Sequence, residues 1–158
     1  MAAPDIPAET GLRVRDTCLC LHTQRAARAL ARRFDEALRP AGLTNGQFSL
    51  LMTLIGPAPA TIGRVAALLG ADRTTLTAAL KPLVRRGLAE TVTDADDSRV
   101  RRLTLTDAGR AALADALPLW TRTHDQLESE LAATDPERLR RDLKSIADPG
   151  PAAADLCA

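Results

Sequence analysis

The sequence predicts a mostly α-helical protein with a small β-wing, in which a winged helix-turn-helix unit is flanked by long helices at both ends. Three observations predict it. Between Thr61 and Gly109, two short amphipathic helical patterns, a turn and a basic hairpin pattern follow one another. The segments on either side carry apolar residues at helical spacing over long runs. The composition agrees: of 158 residues 46% are hydrophobic but only 2% aromatic, with one Trp and no Tyr. Strands favour aromatic and β-branched residues, so a core of Leu, Ala and Val points to helices, and this length fits one domain.

Residues 1–10 hold Pro4, Pro7 and small residues and are expected to form a mobile arm. A long helix is expected from Gly11 to Arg39, with Leu19, Ala26, Leu30, Phe34 and Leu38 on one stripe and Gly42 just past its end. Thr44 and Gln47 make a capping-box pair for a helix running through Phe48, Leu51, Met52 and Leu54, which Gly56-Pro57-Ala58-Pro59 ends.

Thr61 caps the first helix of the reading pair, which carries Ile62, Val65, Ala66, Leu68 and Leu69 before Gly70. Asp72 caps the second, residues 73–86. There the 3.6-residue period puts Leu76, Leu80 and Leu83 on a packing stripe and Thr74, Ala78, Lys81 and Arg85 on the opposite, reading stripe. Pro82 removes one backbone donor and crowds the carbonyl of Ala78, so a local kink is expected.

After Gly87, Leu88–Val92 and Arg102–Leu105 have strand character, with Leu103 and Leu105 on one side. The charged stretch Asp94–Arg101 between them forms the projecting tip. Thr106 caps a helix from Asp107 to about Ala133 with Pro118 inside it, and Thr134-Asp135-Pro136-Glu137 starts a last helix to about Ala147. Residues 148–158 are expected to be a flexible tail.

The formal net charge of +1 does not by itself call for a nucleic-acid partner. Its distribution does, because Arg73, Lys81, Arg85, Arg86, Arg99, Arg101 and Arg102 fall in one predicted surface region. No stretch approaches the roughly 20 apolar residues of a membrane span, and no N-terminal segment joins a basic region to an apolar run, so a cytoplasmic protein is expected. Three cysteines without paired spacing argue against a disulfide framework or a zinc site. His22 and His124 share no ligand spacing, and neither a nucleophile elbow nor a glycine-rich phosphate loop is present. No catalytic residue, metal or cofactor is therefore assigned, and an enzyme is not expected.

The wing pattern Asp97, Arg99, Leu103, Leu105, Thr106 and Gly109 resembles that of the MarR family of transcriptional regulators. So do Leu43-Thr44 with Gln47-Phe48, and Asp72-Arg73-Thr74-Thr75-Leu76-Thr77 opening the recognition helix. The resemblance spans roughly residues 12–145. It implies one domain over 11–147, in which 11–41 and 107–147 are dimerisation helices and 44–106 is the winged-helix DNA-binding region. It also implies a homodimer, a double-stranded DNA operator as partner, most often repression, and release by a small-molecule inducer or by thiol oxidation. An apolar stripe of Leu113, Leu117, Trp120, Leu127 and Leu131 agrees with a second subunit, since it is too large for a monomer surface.

The candidate DNA-binding residues are Arg73, Thr74, Thr75, Thr77, Lys81, Arg85, Arg99 and Arg101. Threonines at the helix N-terminus let the backbone approach a groove and contact base edges or thymine methyls. Arg99 has two compatible readings, a wing arginine that enters the minor groove or one that only pairs with Asp97, which shapes the hairpin. Of Arg101 and Arg102, alternation points only one to a phosphate. The alternative function is a helical protein-interaction module that uses the same face without specific DNA binding.

Cys20 is the candidate redox sensor, since it falls where the organic-hydroperoxide-sensing (OhrR) branch keeps its reactive cysteine. That branch surrounds its thiolate with tyrosines; here the positions four and fourteen residues on are Gln24 and Phe34. In an intact helix Cys18 and Cys20 would lie about 200° apart, which argues against a disulfide between them.

Overall fold

In the computed structural model, residues 5–56, 58–94, 97 and 99–148 are described. The elements follow the order α1 (Ala8–Thr17), α2 (Leu19–Leu38), α3 (Asn45–Met52), β1 (Ala60–Thr61), α4 (Ile62–Leu69), α5 (Arg73–Arg85), β2 (Ala89–Thr93), β3 (Arg101–Leu105), α6 (Asp107–Glu130) and α7 (Pro136–Ala147), with short 3-10 turns at Arg39–Ala41 and Ala132–Thr134. The fold is the expected winged helix with helical ends.

The capping signals explain most boundaries. Thr44 Oγ1 accepts the N–H of Gln47, while the Gln47 side chain accepts the N–H of Thr44. Thr61, Asp72, Thr106 and Asp135 each accept the N–H three residues on. Gly42 and Gly70 stop their helices in the left-handed conformation, at φ of 67° and 61°, where a Cβ would be strained. α5 runs to Arg85 with Pro82 in its last turn.

Three expectations are corrected. The single helix from Gly11 to Arg39 is two helices, and residues 8–10, assigned to the mobile arm, are helical; residues 1–4 of that arm, and 149–158 of the tail with Cys157, lie outside the described residues. The break falls at Cys18, whose backbone is extended (φ −73°, ψ 105°) and whose Sγ accepts the N–H of Leu21 at 3.5 Å. It is possible because nothing in α1 is buried, so packing does not hold the two segments in line. The second correction is β1, which pairs Ala60 with Leu103 and Thr61 with Arg102 and makes the wing a three-stranded sheet in the order β1-β3-β2. Two residues are too few for a periodicity signal. The third is a set of shifted ends: α3 stops at Met52, β2 and β3 span Ala89–Thr93 and Arg101–Leu105, and α6 ends at Glu130, within the usual fraying of helix and strand ends.

The core lies where α3, α4, α5, the sheet and the start of α6 converge, around Leu50, Leu51, Val65, Leu76, Leu83 and Leu103. Phe34 of α2, Phe48 of α3 and Trp120 of α6 form a ring cluster at its edge; Phe48 and Trp120 stack at 6.0 Å and Trp120 stacks on His124 at 4.6 Å. Arg33 of α2 and Glu130 of α6 join in a two-pronged ion pair.

The end helices are less complete. On the α2 stripe Phe34 and Leu38 are buried, but Leu19 is 74% exposed. On α6 Leu113 is buried and Leu117 exposed, and α7 exposes Leu139, Leu143 and Ile146.

Candidate nucleic-acid interface

α5 is anchored by Leu76, Leu80 and Leu83, all buried, so its opposite side is presented outward with Thr74, Ala78, Lys81 and Arg85 exposed. Its N-terminus is fixed by Asp72, which accepts both the N–H of Thr75 (2.8 Å) and the Thr75 hydroxyl (2.7 Å). These bonds, the hydroxyl first, hold the Asp72 carboxyl below its ordinary pKa. The Thr77 hydroxyl donates to the carbonyl of Arg73 at 2.7 Å. Thr75 and Thr77 thus spend their protons inside the helix, leaving oxygen lone pairs and methyl groups to offer a partner.

The wing is shaped differently from expectation. Asp97 accepts the backbone N–H of Arg99 at 2.9 Å rather than its guanidinium, and the N–H of Asp97 donates to Asp94 Oδ1 at 3.1 Å. The carbonyl of Asp97 accepts from Val100 at 2.9 Å, which closes the turn. A short carboxylate two residues before an N–H is a good turn-maker, and Asp97 holds this turn by these bonds, while among the described residues the Arg99 guanidinium enters no ion pair. The ion pair belongs instead to Arg102, which binds the nearly buried Asp94 and donates to the carbonyl of Pro59 at 3.3 Å. Arg102 ties the wing to the loop before β1. Arg101, on the other face, is exposed and donates to Thr93.

The result is a concave face between α5 and the wing. One groove is lined by Thr61, Ile62, Gly63, Arg73, Thr77, Arg99, Val100 and Arg101, and a neighbouring depression by Ile62, Thr77, Leu80, Lys81, Val84, Arg85, Thr91 and Arg101. Six of the candidate residues, Arg73, Thr77, Lys81, Arg85, Arg99 and Arg101, are brought to this face; Thr74 and Thr75 do not line it. Sequence reasoning missed Gly63, on which the Arg73 guanidinium lies: a Cβ there would sit 3.2 Å from Arg73 Nη2. A glycine in the first turn of a helix was the available signal.

Cys20 lies on α2, away from these linings. It is exposed, in the first turn after the break, and its Sγ accepts from Gln24 Nε2 at 3.2 Å; Gln24 in turn accepts from Arg28 at 2.6 Å. Phe34 is not beside it but in the ring cluster. Since Cys18 is itself the break, with Cys20 in the turn that follows it, the intact-helix argument against joining them no longer holds. Among the described residues no group of three or more His, Cys, Asp or Glu is placed to hold a metal, and no helix is long and apolar enough to cross a membrane.

A sequence model described as MarR family matches residues 41–100. The fold is similar to that of the M. tuberculosis transcriptional regulator MosR in complex with DNA, with 40% identity, 89% of this chain and 98% of that chain covered, and a TM-score of 0.77. It is also similar to the transcriptional repressor CouR bound to a 23-mer DNA duplex (30% identity, 91% and 99% covered, TM-score 0.76). A third similar structure is CouR from Rhodococcus jostii bound to p-coumaroyl-CoA (25% identity, 85% and 95% covered, TM-score 0.73).

Proposed function

Because the chain belongs to the MarR family of winged helix DNA-binding transcription regulators, we propose that it acts as a repressor that binds a pseudo-palindromic operator as a homodimer. The observation that carries this reading is the concave face on which Arg73, Thr77, Lys81, Arg85, Arg99 and Arg101 come together. α5 enters the major groove, Lys81 and the Thr74 and Thr77 side chains meet base edges, and Arg99 on the wing meets the minor groove and backbone. The DNA-bound relatives, one described as a repressor, support it.

The second subunit covers the uncovered apolar residues of the ends: Leu19 of α2, Leu117 of α6, and Leu139, Leu143 and Ile146 of α7. Two copies of α5 must reach successive major grooves about 34 Å apart, so a signal that changes their separation ends simultaneous docking. That signal is a small-molecule inducer or oxidation of Cys20. A relative bound to p-coumaroyl-CoA supports the first, and the exposed thiol in the first turn of α2 supports the second.

Selection of bound sequences from random duplex DNA, followed by affinity measurements over a salt series, tests the proposal. It expects a two-fold symmetric site and a steep fall in affinity with salt, because Lys and Arg contacts release counterions from phosphate. A site without symmetry, or salt-independent binding, would overturn it in favour of a protein-interaction module.

A further inference from the structure

We propose that Gly63 is the seat of a phosphate clamp: the glycine leaves the space in which the Arg73 guanidinium lies, and from that place the guanidinium grips the DNA backbone rather than reads a base. The inference rests on the DNA-binding reading and deepens it.

Gly63 is the second residue of α4, and its backbone is not among the left-handed glycines of the chain. Nothing in its own conformation demands glycine, which among helix formers is better only than proline. What uses the room it leaves is across the turn. Arg73, the first residue of α5, sends its side chain back over the first turn of α4, so that a Cβ at Gly63 would lie 3.2 Å from Nη2 and 3.9 Å from Cζ and Nε. That separation is tighter than side chains ordinarily accept, and a larger side chain would occupy the guanidinium's place outright.

The seated guanidinium has charge to give. Its neighbouring carboxylate, Asp72, is committed to Thr75, and among the described residues Arg73 forms no ion pair. Arg99 and Arg101 line the same groove. Three guanidiniums on one concavity repel one another until an anion enters, and a planar fork of N–H donors matches two phosphate oxygens. The position selects the backbone as that anion's source. In helix-turn-helix docking the first helix crosses the DNA backbone while the second enters the groove, and the guanidinium of Arg73, although the residue opens α5, lies over the first turn of α4, apart from the outward row of Thr74, Ala78 and Lys81.

The test uses the full-length chain and the duplex selected above. Arg73→Ala should weaken binding by about tenfold or more, the cost of a charged hydrogen bond. It should do so equally on the selected site and on its single-base variants, and reduce the salt slope by about 1 for each phosphate no longer gripped. Gly63→Leu should reproduce that loss with its melting temperature retained, and Gly63→Ala should fall between it and wild type. Gly46→Ala is the matched control, a glycine at the same position of α3 with nothing within 4 Å; it should leave binding unchanged. The double variant Gly63→Leu with Arg73→Ala should bind no worse than Arg73→Ala alone. A folded Gly63→Leu that binds as wild type, additive losses, or relaxed preference at one base pair in Arg73→Ala would each overturn the clamp. If Gly63→Leu fails to fold, the Ala variants at positions 63 and 73 decide by the same criteria. Wild type selecting no symmetric duplex would instead overturn the DNA-binding reading, and the clamp with it.

Discussion

Replacing Gly109 with Ala should destabilise the fold by an amount the geometry sets. Gly109 is the third residue of α6, and a Cβ there would lie 2.0 Å from the carbonyl oxygen of Leu88 and 2.7 Å from Leu105 Cδ1. Ordinary contact begins at 3.4 Å, so the shortfall is about 1.4 Å, and the obstacle is backbone rather than a flexible side chain. Overpacking of this kind costs about 1–3 kcal/mol. Moving Leu88 away also strains the bond from the Thr106 N–H to its carbonyl (3.3 Å) and that from the Thr106 hydroxyl to Gly87 (2.6 Å), each worth about 1 kcal/mol. The better helix propensity of Ala returns about 1 kcal/mol. The net loss is about 3 kcal/mol, or a melting temperature lower by about 6–12 °C for a chain of this size. Circular dichroism melts at one fixed protein concentration measure it, since a dimer's melting point depends on concentration. Operator affinity should fall as well, because the displaced carbonyl stands at the root of β2. If the variant melts within about 1 °C of wild type, close packing at this position is not what the glycine is for.

Acid should loosen the recognition helix through Asp72. Its folded pKa is lowered from 3.8, chiefly by the Thr75 hydroxyl, so its stabilisation is complete above that value and is lost as pH falls through the lower folded one. Wild type should therefore lose stability relative to Asp72→Asn, whose cap does not titrate, as pH falls from about 5 through the folded value below 3.8; parallel melting curves would refute this. On DNA, Arg99→Ala should weaken all sites alike, whereas Lys81→Ala should relax preference at particular base pairs at a cost of about 1–3 kcal/mol. Binding titrations on single-base variants separate the two, and an Arg99→Ala that binds normally would remove the wing from the interface. With organic hydroperoxide, wild type should lose affinity and Cys20→Ser should not. The thiolate reduces the peroxide to an alcohol and becomes a sulfenic acid, which either persists or condenses with a second thiol, releasing water. Intact mass, with Cys18→Ser alongside, tells added oxygen from lost hydrogens. Full affinity with Cys20 oxidised would leave the inducer as the only signal.

What could be read in the sequence was local. Thr44 with Gln47, and Asp72 and Thr106 before their helices, name their own partners three residues on, and the stripe Leu76, Leu80 and Leu83 follows from one period. What could not be read depends on neighbours distant in the chain or on competition between equal options. β1 exists only because β3 lies beside it. Whether Asp97 takes the guanidinium or the N–H of Arg99 is a choice between two donors on one residue, decided by the turn. Arg73 was legible as a cation of the face between α5 and the wing, but its seat on Gly63 was not, since that needs the angle between α4 and α5. The break at Cys18 escaped because a helical composition continues on both sides and only the absence of packing on α1 tells them apart.

The ring cluster at the edge of the core has a practical consequence. Trp120 is the chain's single tryptophan, and it lies where α2, α3 and α6 meet, between two phenylalanines and an imidazole. Its emission therefore reports from one place, the joint through which the helical ends hold the reading unit. A rotation of α2 or α6 against α3 alters the stacking and the polarity around the indole, and the spectrum shifts with it. The protein carries its own optical gauge of that joint, so candidate inducers and oxidants can be ranked by emission alone, with neither label nor DNA present.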